Sequence, residues 1–503
     1  MMLTPMEVAL LVLLAYPLGR IIYNVYFHPL AHLPGPRTWA ATRLPFIRAL
    51  LRGTIVHDFE KLHRQYGSVV RTAPDEVSFA SGDAWTTIYA NINRPEHRQF
   101  LKDPLWWKKP PGKPDSLLSA ISPPKHARMR KILSPSFTPR ALRAQEPYLQ
   151  KFTNLLIERL REKVERSTED NNGTETEIDI APWFNYTTFD IFGDLGFGES
   201  FDCLQNSQYH SWIELLFNSV KGASFLAAAR YYPLVEFLLK RCIPASLSKK
   251  AVQHQQQIVE KIDRRLSWEL QRPDIMSHLI DDNGQVAWGR GELDATFAML
   301  TTAGSETTAT VLTGILCYLV NEPDKLTIVT REARAAFSSS ADVTLSSAQD
   351  LPYLKAVIYE GLRLCPPVPW MLPRIVPESG EVICGKWIPG GTSVSLQAYA
   401  LNRDPNTFHE ATSFHPERWL PDASSPKSVF FNDDRRAVHP FSVGPRACLG
   451  QNLAWAEMQL ILAKLLVSFD FEVIEHKRLR WEDLRTFLLV EKRPLDVRIK
   501  LAI

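Results

Sequence analysis

The chain lacks a surplus of either charge and lacks paired cysteines, and each absence excludes a class of protein. Its 503 residues include 58 basic and 55 acidic side chains, which leaves a formal net charge of +3. Because so small a surplus creates no overall positive field, we do not expect a nucleic-acid partner. The six cysteines contain no CxxC pair, so neither a zinc cluster nor a disulfide framework is indicated. Unpaired thiols are typical of a protein that faces the reducing cytosol.

Two kinds of module are also missing from the sequence. It contains no Gly-x-Gly-x-x-Gly segment of a dinucleotide-binding unit and no flavin-binding segment. Neither an internal repeat nor a flexible linker divides the chain. Apolar residues recur at helical spacing from about residue 55 to 330. Short strand-like segments occupy residues 68–74, 381–389, 392–400 and 486–499. The pattern predicts a mainly α fold with small β-sheets in one large domain.

The N-terminus carries a long apolar run. Residues 8–27 approach the ~20 apolar residues that a membrane-spanning helix needs, although Pro17, Arg20 and Asn24 interrupt them. No basic residue precedes the run, only Glu7, which argues against a cleaved signal peptide. Arginines follow the run instead, so the positive-inside rule predicts that the rest of the chain lies in the cytosol.

These features predict three segments. Residues 1–27 form an N-terminal membrane anchor, residues 28–36 form a Pro-rich hinge, and residues 37–503 form the large domain. The hinge contains LPGP, which favours extended backbone and would separate the anchor from the large domain. An N-terminal helix that packs in the core is the alternative.

A loop rich in glycine and proline meets an apolar helical pattern at Cys448. A cysteine at the start of a helix lies at the positive end of the helix dipole and near unpaired N–H groups, which lower a thiol's pKa. An oxygen-activating haem iron requires such a thiolate, because the sulfur donates electron density that favours O–O cleavage. A lone cysteine in this position would otherwise be an ordinary buried thiol.

Residues 441–450, FSVGPRACLG, have the form FxxGxRxCxG and resemble the signature of the cytochrome P-450 superfamily. The resemblance implies the cytochrome P-450 fold with a single large catalytic domain. It also implies haem b, iron protoporphyrin IX, as cofactor, with Cys448 as the axial metal ligand and O2 as co-substrate.

The same motif implies roles for the residues around the thiolate. Gly444 and Gly450 allow the backbone to approach the sulfur and the porphyrin, Phe441 screens the site from water, and Arg446 neutralises a haem propionate.

A second motif of the family lies in the segment LPYLKAVIYEGLRLCPPVP. Glu360 and Arg363 form its ExxR pair and share a helix face, and Arg418 in FHPERW is the usual third member. An isolated exposed pair would contribute little to stability. The resemblance implies instead that this triad is buried and structural.

A third motif, AGSETT, begins at Ala303 within an apolar helical stretch. The resemblance implies that Ala303 and Gly304 leave room over the iron. Thr307 can hydrogen-bond the carbonyl four residues back, and Glu306 and Thr307 are the candidate catalytic residues for proton delivery. Relatives often carry Asp where this chain has Glu306. A buried helix that tolerates polar residues is the alternative.

Three further basic residues are implied to bind the haem propionates. His126 and Arg130 in PPKHARMRK occupy the helix where relatives often have Trp-x-x-x-Arg, so His126 departs from the pattern. Arg374 follows the ExxR helix. For each of the three, an ordinary surface charge is the alternative.

The implied reaction inserts one atom of O2 into a lipophilic small molecule, by hydroxylation or epoxidation, and reduces the other atom to water. Because the chain has no flavin or nucleotide module, we expect NADPH-derived electrons from a separate cytochrome P-450 reductase, with cytochrome b5 as a further donor. The basic run of residues 125–131 is a candidate docking patch or a solvated face.

The segments FHPLAHLPGP and NYTTFDIFGDLGFG resemble fungal microsomal members, in particular the isotrichodermin hydroxylase-like group. That resemblance implies an endoplasmic reticulum membrane location with the catalytic domain facing the cytosol, and a terpenoid or polyketide pathway. We expect substrate contacts from residues 105–124, 215–239, 368–372 and 487–489. A haem-thiolate isomerase or dehydratase and a non-catalytic haem-binding protein remain as alternatives.

Overall fold

A computed structural model of the protein describes residues 4, 15–90, 99–109, 112–171, 175–208, 221–242, 244–268, 272–280, 286–370 and 373–502. Its α-helices are α1 (Arg37–Ala41), α2 (Leu44–Arg52), α3 (Ile55–Tyr66), α4 (Pro123–Leu133), α5 (Pro139–Asn171), α6 (Ala181–Phe197), α7 (Cys203–Asn206), α8 (Pro233–Cys242), α9 (Ala245–Leu266), α10 (Arg290–Asn321), α11 (Pro323–Ala336), α12 (Leu345–Ala348), α13 (Pro352–Leu364), α14 (Ala398–Leu401) and α15 (Gln451–Ser468). Residues 15–22 and 221–229 are also helical.

Shorter helical turns connect these elements. Two are π-helical, Tyr23–Phe27 and Trp85–Tyr89. The 3-10 turns are Ser134–Phe137, Met276–Leu279, Ser340–Asp342, Pro416–Trp419, Pro421–Ser424, Arg435–Ala437, Gly444–Arg446, Glu475–Lys477 and Trp481–Asp483.

The strands form three small sheets. They are β1 (Val69–Ala73), β2 (Glu76–Phe79), β3 (Leu101–Lys102), β4 (Glu175–Asp179), β5 (Arg374–Ile375), β6 (Glu381–Ile383), β7 (Lys386–Ile388), β8 (Ser393–Leu396), β9 (Phe469–Val473) and β10 (Asp496–Leu501). The orders are β1-β2-β8-β5-β3, β4-β10-β9 and β6-β7. Only the β2–β8 pair is parallel among the described strands. The predicted mainly α fold with small sheets is confirmed.

The helix α10 runs through the main core and packs extensively on α6. Every residue of α10 from Thr308 to Val320 is buried, and this stretch carries no charged side chain on any of its faces. Its threonines satisfy their hydroxyls internally: Thr310 donates to the Glu306 carbonyl at 2.8 Å and Thr313 to the Ala309 carbonyl at 2.7 Å. Polar residues can therefore lie inside this helix without unsatisfied hydrogen bonds.

The helical residues 15–22 lie on the surface rather than in the core, with Tyr16 68% and Leu18 58% exposed. This exposure argues against the alternative of an N-terminal core helix. In the described part of the chain, no helix combines the length and apolarity needed to cross a membrane. Residues 8–14 of the predicted anchor lie outside the described residues, so the anchor stays a prediction.

The Pro-rich hinge is bonded to the domain, and so differs from the separating segment that LPGP suggests. Arg71 of β1 donates its backbone N–H to the Pro34 carbonyl at 2.8 Å, and Leu33 is buried. At Gly35 a side chain would collide with the Arg71 carbonyl, so glycine permits this close approach. Asn24, which was expected to interrupt the anchor, is buried and donates to the Ala41 carbonyl at 2.9 Å.

Candidate active site

Cys448 lies between the turn Gly444–Arg446 and the start of α15 at Gln451, as the sequence pattern predicts. Its backbone N–H donates to the Phe441 carbonyl at 2.8 Å, which closes the loop behind it. The side chain is exposed, yet the surrounding protein desolvates it. Burial raises the pKa of the Cys448 thiol, while the Gly450 N–H and Arg130 oppose that rise. Iron bound to the sulfur would favour the thiolate against this effect of burial.

The two motif glycines face different surroundings. Gly444 has φ +77°, and a side chain there would strike the Tyr89 carbonyl and lie 2.8 Å from the Ala90 Cα. This glycine therefore allows close contact with the π-helix Trp85–Tyr89, and its approach to a porphyrin stays a prediction. At Gly450 a side chain would meet no protein atom within 4 Å. Gly450 thus borders open space beside Cys448.

The AGSETT segment interrupts the burial of α10. Ala303 is exposed and Thr307 is half-buried, on a helix whose following residues are buried. The Thr307 hydroxyl donates to the Ala303 carbonyl at 2.6 Å, which is the predicted bond. The helix α10 also packs on α15, the helix that begins just after Cys448.

Gly304 lies where α10 packs against α6. A side chain at Gly304 would lie 3.0 Å from the Phe192 ring on α6. The missing side chain therefore lets α10 and α6 pack closely, whereas Ala303 borders the open space. The physical reason is the helical turn, which directs neighbouring positions to different faces.

Glu306 is buried and joins an ion pair that the sequence did not indicate. Its Oε1 lies 2.5 Å from the Lys492 Nζ, and Oε2 is buried without a hydrogen-bond partner among the described residues. Burial raises the pKa of Glu306, while Lys492 opposes that rise. Within the described chain no hydrogen bond joins Glu306 to Thr307, so a proton passing between them requires water or a side-chain movement.

Five basic side chains gather near the Cys448 loop, and we call them the basic cluster. They are Lys102, His126, Arg130, Arg374 and Arg446. Arg446 donates to the carbonyls of Ala120 at 2.6 Å and Ile121 at 2.7 Å. Arg130 donates to the Ala447 carbonyl at 2.6 Å, next to Cys448.

Burial and mutual repulsion lower the pKa values in the basic cluster. Burial and Arg374 lower the pKa of Arg446 to about 10, and burial, Arg446 and Arg374 lower the pKa of Lys102 to about 6. Burial and four basic neighbours lower the pKa of His126 to about 3. His126 is therefore neutral at neutral pH in the protein alone, and its contact with a haem propionate stays a prediction.

In the described chain, no carboxylate is among the groups that shift the pKa values of Lys102, His126 and Arg446. An uncompensated group of buried bases favours an anion, and two propionates match that charge. The thiol, the open space at Gly450 and the basic cluster together fit a haem. Bound there, haem would supply the activation of O2, with Cys448 as its ligand and the basic cluster holding its carboxylates.

Lys102 is the member of this cluster that sequence reasoning missed. It lies on β3, is buried, donates to the Leu118 carbonyl and has its Nζ 3.9 Å from the centre of the Trp107 ring. No motif surrounds it. The only sequence signal is a lysine inside a short apolar segment, which is too common to be specific.

The ExxR motif forms a buried group that we call the acid–base cluster. It contains Glu360, Arg363, Arg418 and Asp433, and the sequence did not indicate Asp433. Glu360 Oε1 lies 2.7 Å from Arg363 Nη2 and 3.0 Å from Arg418 Nε. Burial raises the pKa of Glu360, but the two arginines outweigh it and lower the pKa to about 2. The predicted contacts of this triad are present.

A cavity of about 370 Å³ reaches Glu306 from the C-terminal segment. Phe487 and Leu489, from one predicted substrate-contact segment, line it together with Asn185 and Lys492. Trp106, from another such segment, is buried and packs edge-on against Trp370 at 5.1 Å between ring centres. Residues 110–111, 215–220 and 371–372 of the predicted segments lie outside the described residues.

Comparison with known proteins gives consistent matches over nearly the whole chain. Cytochrome P450 monooxygenase lcsI of Purpureocillium lilacinum is 42% identical over 490 residues, or 97% of this chain and 92% of the relative. Averantin hydroxylase of Dothistroma septosporum is 39% identical over 492 residues, 97% of this chain and 90% of the relative. Trichothecene C-4 hydroxylase of Trichoderma arundinaceum is 40% identical over 499 residues, 97% of this chain and 96% of the relative.

The family model for cytochrome P450 matches residues 33–498. This match includes every motif residue described above, and it confirms the resemblance seen in the sequence. Family membership implies a haem with a cysteine thiolate ligand and the use of O2, which the site around Cys448 fits. The chain therefore belongs to the cytochrome P450 family and is a cytochrome P450 monooxygenase.

Proposed function

We propose that this enzyme hydroxylates a lipophilic secondary metabolite of the terpenoid or polyketide class. The observation that carries the proposal is the exposed stretch of α10, where the Thr307 hydroxyl is bonded to the Ala303 carbonyl at 2.6 Å beside open space. A hydroxyl in that place can pass a proton toward the Cys448 side, which a monooxygenase needs and an isomerase does not. Two of the similar proteins are named as hydroxylases, which supports this reaction.

The apolar residues near the cavity favour a lipophilic substrate. Phe487 and Leu489 line the cavity, and the ring of Phe225 meets that of Phe487 edge-on at 6.0 Å. Seven of the thirteen residues that line the cavity are polar or charged, so these apolar side chains, and not the cavity lining as a whole, support a lipophilic substrate.

We further propose that the protein lies on the endoplasmic reticulum membrane with its catalytic domain in the cytosol. The apolar run at residues 8–27 supports an anchor. On α8, Leu234 is 70% and Leu238 52% exposed, and such grouped apolar side chains are unusual on a surface in contact with water alone. The full chain should remain in the membrane pellet after alkaline carbonate washing, and a chain lacking residues 1–27 should be released.

Electrons are proposed to come from NADPH through a separate cytochrome P-450 reductase, with cytochrome b5 as a further donor. The docking patch is smaller than the basic run suggests. Lys125 pairs with Asp115 at 2.6 Å, and Arg128 pairs with Glu292 at 2.6 Å, while Lys131 is exposed. Any docking on α4 therefore depends on fewer charges than residues 125–131 contain.

The first test is the absorption spectrum of the reduced, carbon-monoxide-bound protein. The wild type should give the thiolate-type band, and Cys448→Ser should lose it. Cys384→Ser is a matched control, because Cys384 is half-buried and lies outside the described site. A wild type that takes up no haem would contradict the proposal.

The second test identifies the reaction. The purified enzyme, reductase and NADPH are incubated under isotopically labelled O2 with a panel of terpenoid and polyketide metabolites. We expect product that carries one labelled oxygen atom and that depends on NADPH. Product formed without NADPH would favour an isomerase or dehydratase, and the absence of turnover across metabolites from the host would favour a non-catalytic haem protein.

A further inference from the structure

The four predicted substrate-contact segments meet in one buried apolar group of side chains. Each segment contributes at least one residue to it, although the segments lie far apart in the sequence. We call these residues the aromatic cluster, and in chain order they are Trp106, Ala227, Ala228, Trp370 and Leu488. A shared interior of this kind is what the walls of one binding site for a lipophilic molecule require.

Two tryptophans connect this cluster to the basic cluster. Trp106 and Trp370 pack edge-on, with their ring centres 5.1 Å apart. Each stands four residues from a member of the basic cluster, Lys102 or Arg374, and these two residues are paired across β3 and β5. Four residues of fully extended chain span at most about 14 Å. The tryptophan pair therefore lies close to the side chains that fit the carboxylates of a haem.

Trp370 buries a hydrogen-bond donor that has no partner. Its side chain is 0% exposed, and the indole Nε1 makes no hydrogen bond to any of the described residues. Buried N–H groups are nearly always paired, because an unpaired one costs free energy. A water molecule there would need two or more polar partners, and the side chains of Ala227, Ala228 and Leu488 offer none. A ligand with a hydrogen-bond acceptor would satisfy this N–H.

A second unpartnered group lies on the helical residues 221–229. Ser224 is 1% exposed, and its Oγ has no hydrogen-bond partner in the described part of the chain. Ala227 and Ala228 follow it by three and four residues, so all three side chains share one helix face. That face is buried, and its alanines belong to the aromatic cluster. Ser224 therefore adds a hydroxyl to the face that joins this cluster.

We propose that Trp370 donates a hydrogen bond from Nε1 to an oxygen of the substrate, so that the enzyme selects a lipophilic skeleton that already carries a carbonyl group. Ser224 is a second donor to the same molecule. The inference rests on the proposed hydroxylase function and narrows its substrate class. A hydrocarbon of the same skeleton leaves the buried donors unpaired, and such a site discriminates against it. An earlier reaction must therefore supply the carbonyl, either polyketide assembly or oxidation of a terpene.

The test compares carbonyl compounds with their hydrocarbons in a variant that loses only the N–H of Trp370. Incorporation of benzothienylalanine at position 370 replaces the N–H by sulfur and keeps the shape of the two rings. The probes are anthraquinone with anthracene, and nootkatone with valencene. Titration of the detergent-solubilised holoenzyme, followed by its haem absorption, gives a Kd for each probe.

The measured quantity is the Kd of the hydrocarbon divided by the Kd of its carbonyl partner. This ratio should fall about tenfold from the wild type to the variant at position 370, the effect of one hydrogen bond. Comparing ratios removes the differences in hydrophobicity between the probes, because they are the same for both proteins. Ser224→Ala should lower the ratio by a smaller factor, since a hydroxyl can rotate toward other partners whereas the indole N–H is fixed.

Trp288 provides the matched control. It is 5% exposed, and its Nε1 also lacks a partner among the described residues, but it lies outside the predicted substrate-contact segments. Benzothienylalanine at position 288 should leave the ratio unchanged. Trp370→Phe, which keeps one aromatic ring, is an independent variant and should lower the ratio in the same direction as the analogue.

The outcomes separate this inference from the proposed function. If the wild type lacks the thiolate-type carbon monoxide band or incorporates no labelled oxygen, the proposed function fails, and this inference fails with it. If both are present but the ratio is equal in the wild type and in the variants at position 370, Trp370 does not bind a substrate oxygen and the inference alone is wrong. A wild type that binds neither carbonyl compound, or that hydroxylates valencene as readily as nootkatone, would also overturn it.

Discussion

Two buried groups of charges in this molecule are built in opposite ways. In the acid–base cluster, two acids and two arginines neutralise one another, and Glu360 has two arginine partners within 3.0 Å. In the basic cluster, burial is combined with like charges, and the pKa of Lys102 falls to about 6. The first group is complete by itself and stabilises the scaffold. The second destabilises the empty fold and gains most from an anionic ligand, so charge balance distinguishes a structural group from a binding site.

The largest change in the free energy of unfolding should come from breaking the acid–base cluster. Arg363→Ala leaves Glu360 buried beside one arginine and removes hydrogen bonds to the carbonyls of Asn402 and Ala411. We expect a loss of about 3–5 kcal/mol in the free energy of unfolding, measured by urea denaturation. Arg436→Ala is the control, because Arg436 is 95% exposed and its loss should change stability by less than about 0.5 kcal/mol. A loss below about 1 kcal/mol for Arg363→Ala would contradict the structural role.

The acid–base cluster also predicts how the stability of the protein depends on pH. The pKa of Glu360 is about 2 in the folded protein, against about 4.3 for an unfolded glutamate. The stabilisation that the Glu360 carboxylate contributes is therefore fully present at pH values above the pKa of the unfolded glutamate. It is lost as pH falls toward 2, and the change is on the order of 3 kcal/mol. Unfolding free energies measured between pH 5 and pH 2.5 should fall less steeply in Glu360→Gln than in the wild type. Equal slopes would show that Glu360 is not held as a carboxylate.

The sequence predicted the residues that belong to local motifs. The pairing of Glu360 with Arg363 and the bond from Thr307 to Ala303 lie within one helical turn, where spacing determines contact. The long-range partners could not be predicted in this way. Lys492 is 186 residues from Glu306, and no spacing rule connects a terminal segment to a central helix.

The sequence pattern also failed to predict where some strands end. Residues 381–389 read as one strand, but they form β6 and β7 joined by a turn at Cys384, with φ +49°, and Gly385, with φ +72°. Cysteine rarely adopts positive φ, so the turn carries no clear signal there except the glycine that comes next. The neutral state of His126 was equally inaccessible, because burial and bases from three other segments of the chain contribute to it, beside Arg130 of its own helix.

A substitution in the basic cluster should change the free energy of unfolding less than Arg363→Ala does, and it should stabilise the haem-free protein rather than destabilise it. Lys102 has a pKa of about 6 when folded and about 10.4 when unfolded, so the unfolded chain binds more protons between these values. Stability of the haem-free protein should therefore rise with pH across that window. Lys102→Met should remove the rise and stabilise the haem-free protein at pH 7 by about 1–3 kcal/mol, while weakening haem binding.

Urea denaturation between pH 6 and pH 10 and a haem titration measure the two parts of this prediction. Lys427→Met, on an exposed loop, should alter neither quantity. If Lys102→Met lowered the stability of the haem-free protein, Lys102 would belong to the scaffold and the contrast between the two clusters would fail.

The smallest effect on the fold should come from Gly450→Ala. Gly450 has φ −85°, which alanine adopts freely, and a side chain there meets no protein atom within 4 Å. Because Gly450 is the N-cap of α15 and alanine is a poorer N-cap than glycine, the haem-free protein should lose no more than about 1 kcal/mol of stability. The new methyl group enters the space beside Cys448, so haem affinity should fall although the fold is intact. Gly444→Ala is the contrasting variant, because its side chain would strike the Tyr89 carbonyl at φ +77° and must destabilise the fold itself. Unchanged haem affinity in Gly450→Ala would mean that the open space beside Cys448 does not receive the cofactor.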